Sequence, residues 1–295
     1  MLSHKLLIPT ILLAALSLAA CGLTSPTASP TPEAPTPTSA PPTATPEPAA
    51  ATVNGEEIPV ADLNAEVERY LASQSALGKT ASPEDAKTRV LDDLIDQVLL
   101  AQQARQAGFQ VDDTSLASRL TTLAQKAGGQ EALDTWIASH GYTTESFKIA
   151  LRRSIEAAWM RDKIINGVPD TADQVHVQQI LLYNQDTAQQ VLDQLKAGAD
   201  FDQLAARNDP ATRGELGWFP RGYLLDKKIE DAAFALQPGQ YSDIISTDVG
   251  FDIIKVLERD PQHPLTPDAY LVMQEKALTD WLQQQRQNSK IVIQP

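Results

Sequence analysis

The chain holds a single cysteine, Cys21, in 295 residues, so no intramolecular disulfide can staple it. It is also short of positive charge. Lys and Arg number 24 against 38 Asp and Glu, a formal net charge of −14. That balance argues against a nucleic-acid partner, because phosphate backbones are met by clustered Lys and Arg. No internal repeat is visible, and no His, Cys, Asp or Glu grouping has metal-ligand spacing. Neither a metal nor a cofactor is therefore expected.

What is present begins with a processing signal. Lys5 supplies a short positive region, and residues 6–18 are apolar. A run of about a dozen apolar residues is too short for a comfortable membrane span and fits a signal peptide. It ends in "LAAC", residues 18–21, which looks like a bacterial lipobox with Cys21 as the lipidated residue. The other reading is an ordinary signal peptide with an incidental cysteine. Two or more acyl chains on Cys21 would anchor the protein stably, where one would not. Residues 22–51 are rich in Pro, Thr and Ala and almost free of charge and large apolar side chains, so they cannot bury a core. In polyproline II this disordered stalk would reach up to ~90 Å at roughly 3.1 Å per residue.

About 240 residues remain, enough for one large domain or two ordinary ones. "ATVNGEEIPV", 51–60, reads as a hairpin, since Asn54-Gly55 is the pair a type I′ turn prefers. Helices are expected over 62–77, 82–108, 112–127, 130–140 and 143–165. The second starts most clearly, with Ser82 as N-cap and Pro83 at the first helical position. Beyond Pro169 the period changes. "VHVQQILLYN", 175–184, is strand-like, short helices follow over 186–197, 199–208 and 230–235, and "GFDIIKVLERD" is a strong strand. A capped helix and a last strand, "KIVIQP", close the chain. That strand has no neighbour in sequence, so it is expected to pair with the 51–60 hairpin.

Residues 201–260 carry "GELGWFPRG", "EDAAFALQPGQYSD" and "GFDIIKVLE" in an order and spacing that resemble the second half of a parvulin-type (PpiC-like) peptidyl-prolyl isomerase domain. "QQILL" is similar to the first parvulin strand. The helical region opening with "VNGEEIP" resembles the N-terminal segment of SurA- and PrsA-type foldases, and lipobox, stalk, helices and isomerase block together resemble a PrsA-like foldase lipoprotein. The resemblance implies an α+β fold: a helical chaperone domain over 52–170, a parvulin domain with a four-stranded antiparallel sheet over 171–260, and residues 261–295 returning to the N-terminal part. It also implies a shallow proline pocket.

The resemblance assigns Leu216 to the pocket wall and Leu224 and Ile229 to the grip on the proline ring. Phe234 matches the phenylalanine beneath, a position that core packing alone accounts for. Trp218 and Phe219 are expected to pack around the pocket. Two histidines of the family are absent: their positions fall on Gln179 and Asp252. Strand parity sets Val175, Val177, Gln179 and Leu181 on one face, and Asp252, Ile254 and Val256 share another; the resemblance implies that positions 179 and 252 are neighbours behind the pocket, where a Gln179 amide could donate to Asp252. His176 points to the opposite face and cannot stand in. Asp209 matches a position where parvulins carry Cys or Asp. Beside Asp252 it would form two carboxylates at one pocket, raising one pKa; the alternative is a turn aspartate before Pro210. Gln179, Asp209 and Asp252 are the candidate catalytic residues. Arg213, Arg221, Lys227 and Lys228 cluster in sequence about the pocket lip, either to favour clients with an acidic residue near proline or as solvated surface.

Two functions follow. One is a lipid-anchored peptidyl-prolyl isomerase and chaperone, attenuated by the loss of both histidines, acting on unfolded exported polypeptides with Xaa-Pro bonds. The other is a client-binding chaperone whose parvulin domain is a degenerate scaffold. In either, the protein sits in the cell envelope outside the cytoplasm.

Overall fold

Asn54 and Gly55 take φ of 52° and 88°, the positive pair a two-residue hairpin turn needs. They join β1 (Ala49–Val53) to β2 (Glu56–Pro59). The computed structural model describes residues 48–294, so the lipobox and residues 22–47 of the expected stalk lie outside it. β1 starts at Ala49, inside the stretch read as stalk, because Ala50, Ala51 and Val53 are small enough to bury against the helices that follow.

Five helices come next: α1 (Val60–Ala76), α2 (Pro83–Gln106), α3 (Asp113–Ala127), α4 (Gln130–Ser139) and α5 (Thr144–Ile165). Ser82 caps α2 by accepting the Asp85 amide at 3.1 Å. The apolar stripe of α2, with Ile95 and Val98 fully buried, packs on Ile58, Leu63 and the hairpin. At the far end of the chain, α9 (Pro267–Asn288) lies along α2 and α5, placing Leu278, Trp281 and Leu282 against Leu100, Ala101 and Ala157. Arg286 then bonds Asp96 at 2.6 Å and Asp92 at 3.0 Å. β7 (Ile291–Ile293) completes a three-stranded antiparallel sheet in the order β2-β1-β7, with Val53 opposite Ile291. The last strand does return to the first hairpin.

Between α5 and α9 the chain forms a second antiparallel sheet, ordered β4-β3-β6-β5. Its strands are β3 (Thr171–Leu182), β4 (Glu215–Pro220), β5 (Ile245–Ser246) and β6 (Phe251–Pro264). Helices α6 (Gln185–Lys196) and α7 (Phe201–Asn208) cover one face, and α8 (Lys227–Ala235) covers the other. The central pair is longer than the sequence pattern indicates: β3 begins at Thr171 rather than 175, and β6 runs on past Pro261. A register irregularity between Ala172 and Gln174 accommodates the missing proline donor, and the Gln174 side-chain Nε2 donates to the carbonyls of His263 and Pro264 at 2.8 and 3.2 Å.

Candidate functional site

The glycine-rich stretch after α7 bends β4 into the sheet. Gly214 has φ of 72°, and a Cβ there would overlap the carbonyl oxygen of Gln179. Its own carbonyl accepts the Gln179 amide at 2.7 Å. Next comes a bulge: Glu215 pairs with Gln178 and Gly217 with Val177, leaving Leu216 as the extra residue. Gly217, at φ of 76°, supplies the turn. The bulge turns Leu216 toward the same face as Phe219, which simple alternation would forbid.

On that face Leu216, Leu224 and Ile229, all half-buried, pack over Val175, Val177, Phe219, Phe234, Ile254 and Val256. Leu216, assigned to the pocket wall, and Leu224 and Ile229, assigned to the proline grip, therefore pack on one cluster. Phe219 is fully buried and meets Phe234 edge-on, with centroids 6.3 Å apart. The Arg221 guanidinium lies over the Phe234 ring at 4.3 Å. Trp218 goes elsewhere. Its ring stacks between His176 at 5.3 Å and His263 at 3.9 Å on the opposite face of the sheet, so the expectation that it packs around the pocket is corrected. Alternation along β4 beyond the bulge is the cause: Phe219 faces inward, so Trp218 cannot. His176 Nε2 lies 2.6 Å from Glu215 Oε1.

Gln179 and Asp252 share the apolar face, but their register is diagonal: Gln179 stands opposite Ile254, and Asp252 opposite Leu181. The expected hydrogen bond between them is replaced by one from the Thr247 hydroxyl to Asp252 Oδ2 at 3.1 Å. Asp252 is 2% exposed. Burial pushes its carboxyl above the ordinary range, the Thr247 bond opposes that, and the Asp226 charge adds to it. Asp209 does not join this pair. It follows α7 and accepts the amides of Ala211 and Thr212, each at 3.1 Å, and the Thr212 hydroxyl. These bonds, the Thr212 hydroxyl first, hold its carboxyl below the ordinary range. Asp209 is a turn aspartate, and the expected coupled pair with Asp252 is not formed.

Two positioning residues escaped the sequence reading. Glu230 is buried, and its Oε2 accepts the amides of Gly222 at 2.7 Å and Leu224 at 3.3 Å. It thereby pins the β4–α8 loop that carries Leu224. A signal existed: Glu230, Ala233 and Phe234 form the i, i+3, i+4 stripe by which α8 faces the sheet, and a carboxylate on such a stripe needs partners. Thr247 is the second, and its only signal was proximity in sequence to Asp252. Of the lip cations, Arg213 pairs with Asp202, Arg221 with Asp231 at 3.2 Å, and Lys228 donates to the Ser246 carbonyl at 2.8 Å. Three of the four are thus engaged by the chain itself. Among the described residues no group of three or more His, Cys, Asp or Glu side chains could hold a metal, and no helix is long and apolar enough to cross a membrane.

Residues 176–258 match the PPIC-type PPIASE domain, and residues 5–161 match the SurA-like N-terminal domain. The foldase protein PrsA of Geobacillus sp. (strain WCH70) is 28% identical over 184 residues, covering 59% of this chain and 64% of that protein. Chaperone SurA of Hydrogenovibrio crunogenus is 26% identical over 244 residues, covering 70% of this chain and 53% of that one. The chain thus spans less than two thirds of the length of either relative. A crystal structure of PrsA from Bacillus cereus aligns over 80% of this chain and 84% of its own, at 23% identity and a TM-score of 0.42.

Proposed function

Because the chain belongs to the family that joins a SurA-like N-terminal domain to a PPIC-type PPIase domain, we propose that it is a peptidyl-prolyl cis–trans isomerase and chaperone for exported polypeptides, held at a membrane by a lipid on Cys21. The observation that carries this reading is the half-buried cluster of Leu216, Leu224 and Ile229, set over Phe219 and Phe234.

Prolyl isomerisation makes and breaks no bond. Its barrier of roughly 18–20 kcal/mol is the amide resonance lost on twisting, and uncatalysed it takes tens to hundreds of seconds. Water favours the planar, charge-separated amide over the twisted one. An apolar surface that seats the proline ring and displaces that water lowers the barrier, and each ~1.4 kcal/mol is worth tenfold in rate. No nucleophile or metal is required. Leu224 and Ile229 are the groups that touch the ring, with Leu216 as the wall beside them. Gln179 and Asp252 are positioning groups: Asp252 holds Thr247 and so the turn between β5 and β6, and Gln179 fixes the close approach of Gly214. Asp209 has no part in the chemistry and shapes the turn before β4.

The test is proline isomerisation on a short Xaa-Pro peptide. A rate above the uncatalysed one supports the enzyme. An unchanged rate, together with suppression of client aggregation, supports the second reading, a chaperone with a degenerate parvulin domain. The loss of both family histidines to Gln179 and Asp252 is the feature that favours it. Anchoring is tested by incorporation of labelled palmitate into the intact chain and its loss in Cys21→Ala.

A further inference from the structure

Helix α9 serves two parts of the molecule. One stripe of it, carrying Tyr270, Gln274, Leu278 and Trp281, faces the helical domain. Leu278 and Trp281 pack with Leu100, Ala101 and Ala157. The Gln274 side chain donates to the Ile165 carbonyl at 3.1 Å, and the Tyr270 hydroxyl to the Val168 carbonyl at 3.3 Å. Met273 and Lys276, three positions apart in α9, share a second stripe. That stripe meets the loop between β4 and α8.

The meeting point is Gly222. The Tyr223 amide donates to the Pro220 carbonyl at 3.3 Å, so residues 220–223 close a tight turn with Gly222 third. Its φ of 89° is the value a type II turn requires there. A Cβ on Gly222 would stand 2.6 Å from Lys276 Cδ and 3.7 Å from Met273 Cε, so any larger residue would push the lysine away. The charged end of Lys276 is engaged on its own helix, with Nζ 2.8 Å from Asp280 Oδ2. What lies on the turn is the hydrocarbon stem.

The turn is held by α8 as well. The Gly222 amide donates to Glu230 Oε2 at 2.7 Å, and the same oxygen takes the Leu224 amide. Gly222 is thus held both by a buried carboxylate of α8 and by two side chains of a helix rooted in the helical domain. Leu224, two residues on, is one of the two side chains of the proposed proline grip.

We propose that Met273 and Lys276 are positioning residues for the prolyl site: their side chains brace the turn at Gly222, fix Leu224, and so tie the seat of the proline ring to the helical domain. The link to proline rests on the isomerase reading, whereas the brace rests on the packing alone.

The test is amide hydrogen exchange on the intact chain, read residue by residue, together with KM and kcat for an Xaa-Pro peptide. Lys276→Ala removes the stem and keeps the helix. A few lost carbon contacts should speed exchange at the Gly222 and Leu224 amides about threefold, while the Val177 and Ile254 amides of the sheet hold their rates. KM should rise by a similar factor with kcat nearly unchanged, because the seat is loosened and the apolar surface is not. Lys276→Met keeps a long stem without the charge and should return both readings to wild type, which separates the packing from the Asp280 ion pair. Adding Met273→Ala to Lys276→Ala should enlarge both effects. Unchanged exchange at Gly222 and Leu224 in Lys276→Ala would overturn the proposal. So would equal acceleration at Val177 and Ile254, failure of Lys276→Met to restore protection, or faster loop exchange with an unaltered KM. Should the wild type show no turnover, exchange decides alone: acceleration confined to the loop keeps the brace and loses the isomerase, and an active enzyme with an indifferent loop does the reverse.

Discussion

The two faces of the four-stranded sheet are built from the same strands and finished differently. On one, α6 and α7 close over Ile180, Leu182 and Ile253, so that Val191, Leu192, Leu195, Phe201 and Leu204 are all buried. On the other, the single short helix α8 covers Val175, Val177, Ile254 and Val256 but leaves Leu216, Leu224 and Ile229 half-exposed. Both faces are apolar. The first is a finished core whose side chains already have partners. The second has contact surface to spare, and a proline ring is a group of the size and polarity to take it up. On the proposed reading, function on this sheet lies where the cover is incomplete, and the comparison predicts that stability and activity separate by face.

The largest effect is expected on the closed face. Leu192→Ala leaves a cavity between α6 and the sheet and should cost about 2–5 kcal/mol, read from the midpoint of urea unfolding. Isomerisation per folded molecule should stay near wild type. On the open face the order reverses. Leu224→Ala combined with Ile229→Ala should lower kcat/KM about tenfold or more while costing much less stability, since neither side chain is fully buried.

Between these extremes stands Glu230. In Glu230→Ala the amides of Gly222 and Leu224 lose their acceptor, a loss of about 1–3 kcal/mol by the usual cost of an orphaned buried donor. The loop carrying Leu224 then loosens, so KM should rise along with the fall in melting temperature. Glu230→Gln, which keeps one acceptor oxygen, should restore part of both.

A smaller effect tests Asp252. Its folded-state carboxyl titrates above the ordinary value because it is buried. The folded state therefore binds that proton more tightly than the unfolded one, and the Asp252 contribution to stability falls as pH rises from the ordinary carboxylate range through the raised value. Asp252→Asn should melt higher than wild type at neutral pH, with the two curves converging at pH values below both titrations. Asp209→Ala should have the smallest effect, with isomerisation unchanged, because Asp209 only closes the turn before β4.

Much of this architecture was legible in residue patterns. Asn54-Gly55 announced the hairpin, Ser82-Pro83 the start of α2, and the unpaired "KIVIQP" its return to β1, because each rests on a local rule with few alternatives. The convergence of Leu216, Leu224 and Ile229 came from motif resemblance, and no periodicity could have supplied it: a bulge puts Leu216 on the face of Phe219. The same geometry explains the misplacement of Trp218, since two neighbours on a strand cannot both face the pocket. The Gln179–Asp252 bond failed on a register offset of two residues, which strand parity cannot see. The ion cluster of Glu56, Arg105, Arg153 and Glu156 was not legible at all. Its members come from β2, α2 and α5, and only their packing brings Arg105 and Arg153 to Glu56.

The central claim is that the incompletely covered apolar face alone eases rotation about a prolyl bond. The most direct measurement compares kcat/KM for an Xaa-Pro peptide in wild type, in the Leu224→Ala/Ile229→Ala double variant and in Leu192→Ala, all under conditions where each is folded. The account predicts a loss of about tenfold or more in the double variant and none in Leu192→Ala. Equal rates in the double variant and wild type would contradict it.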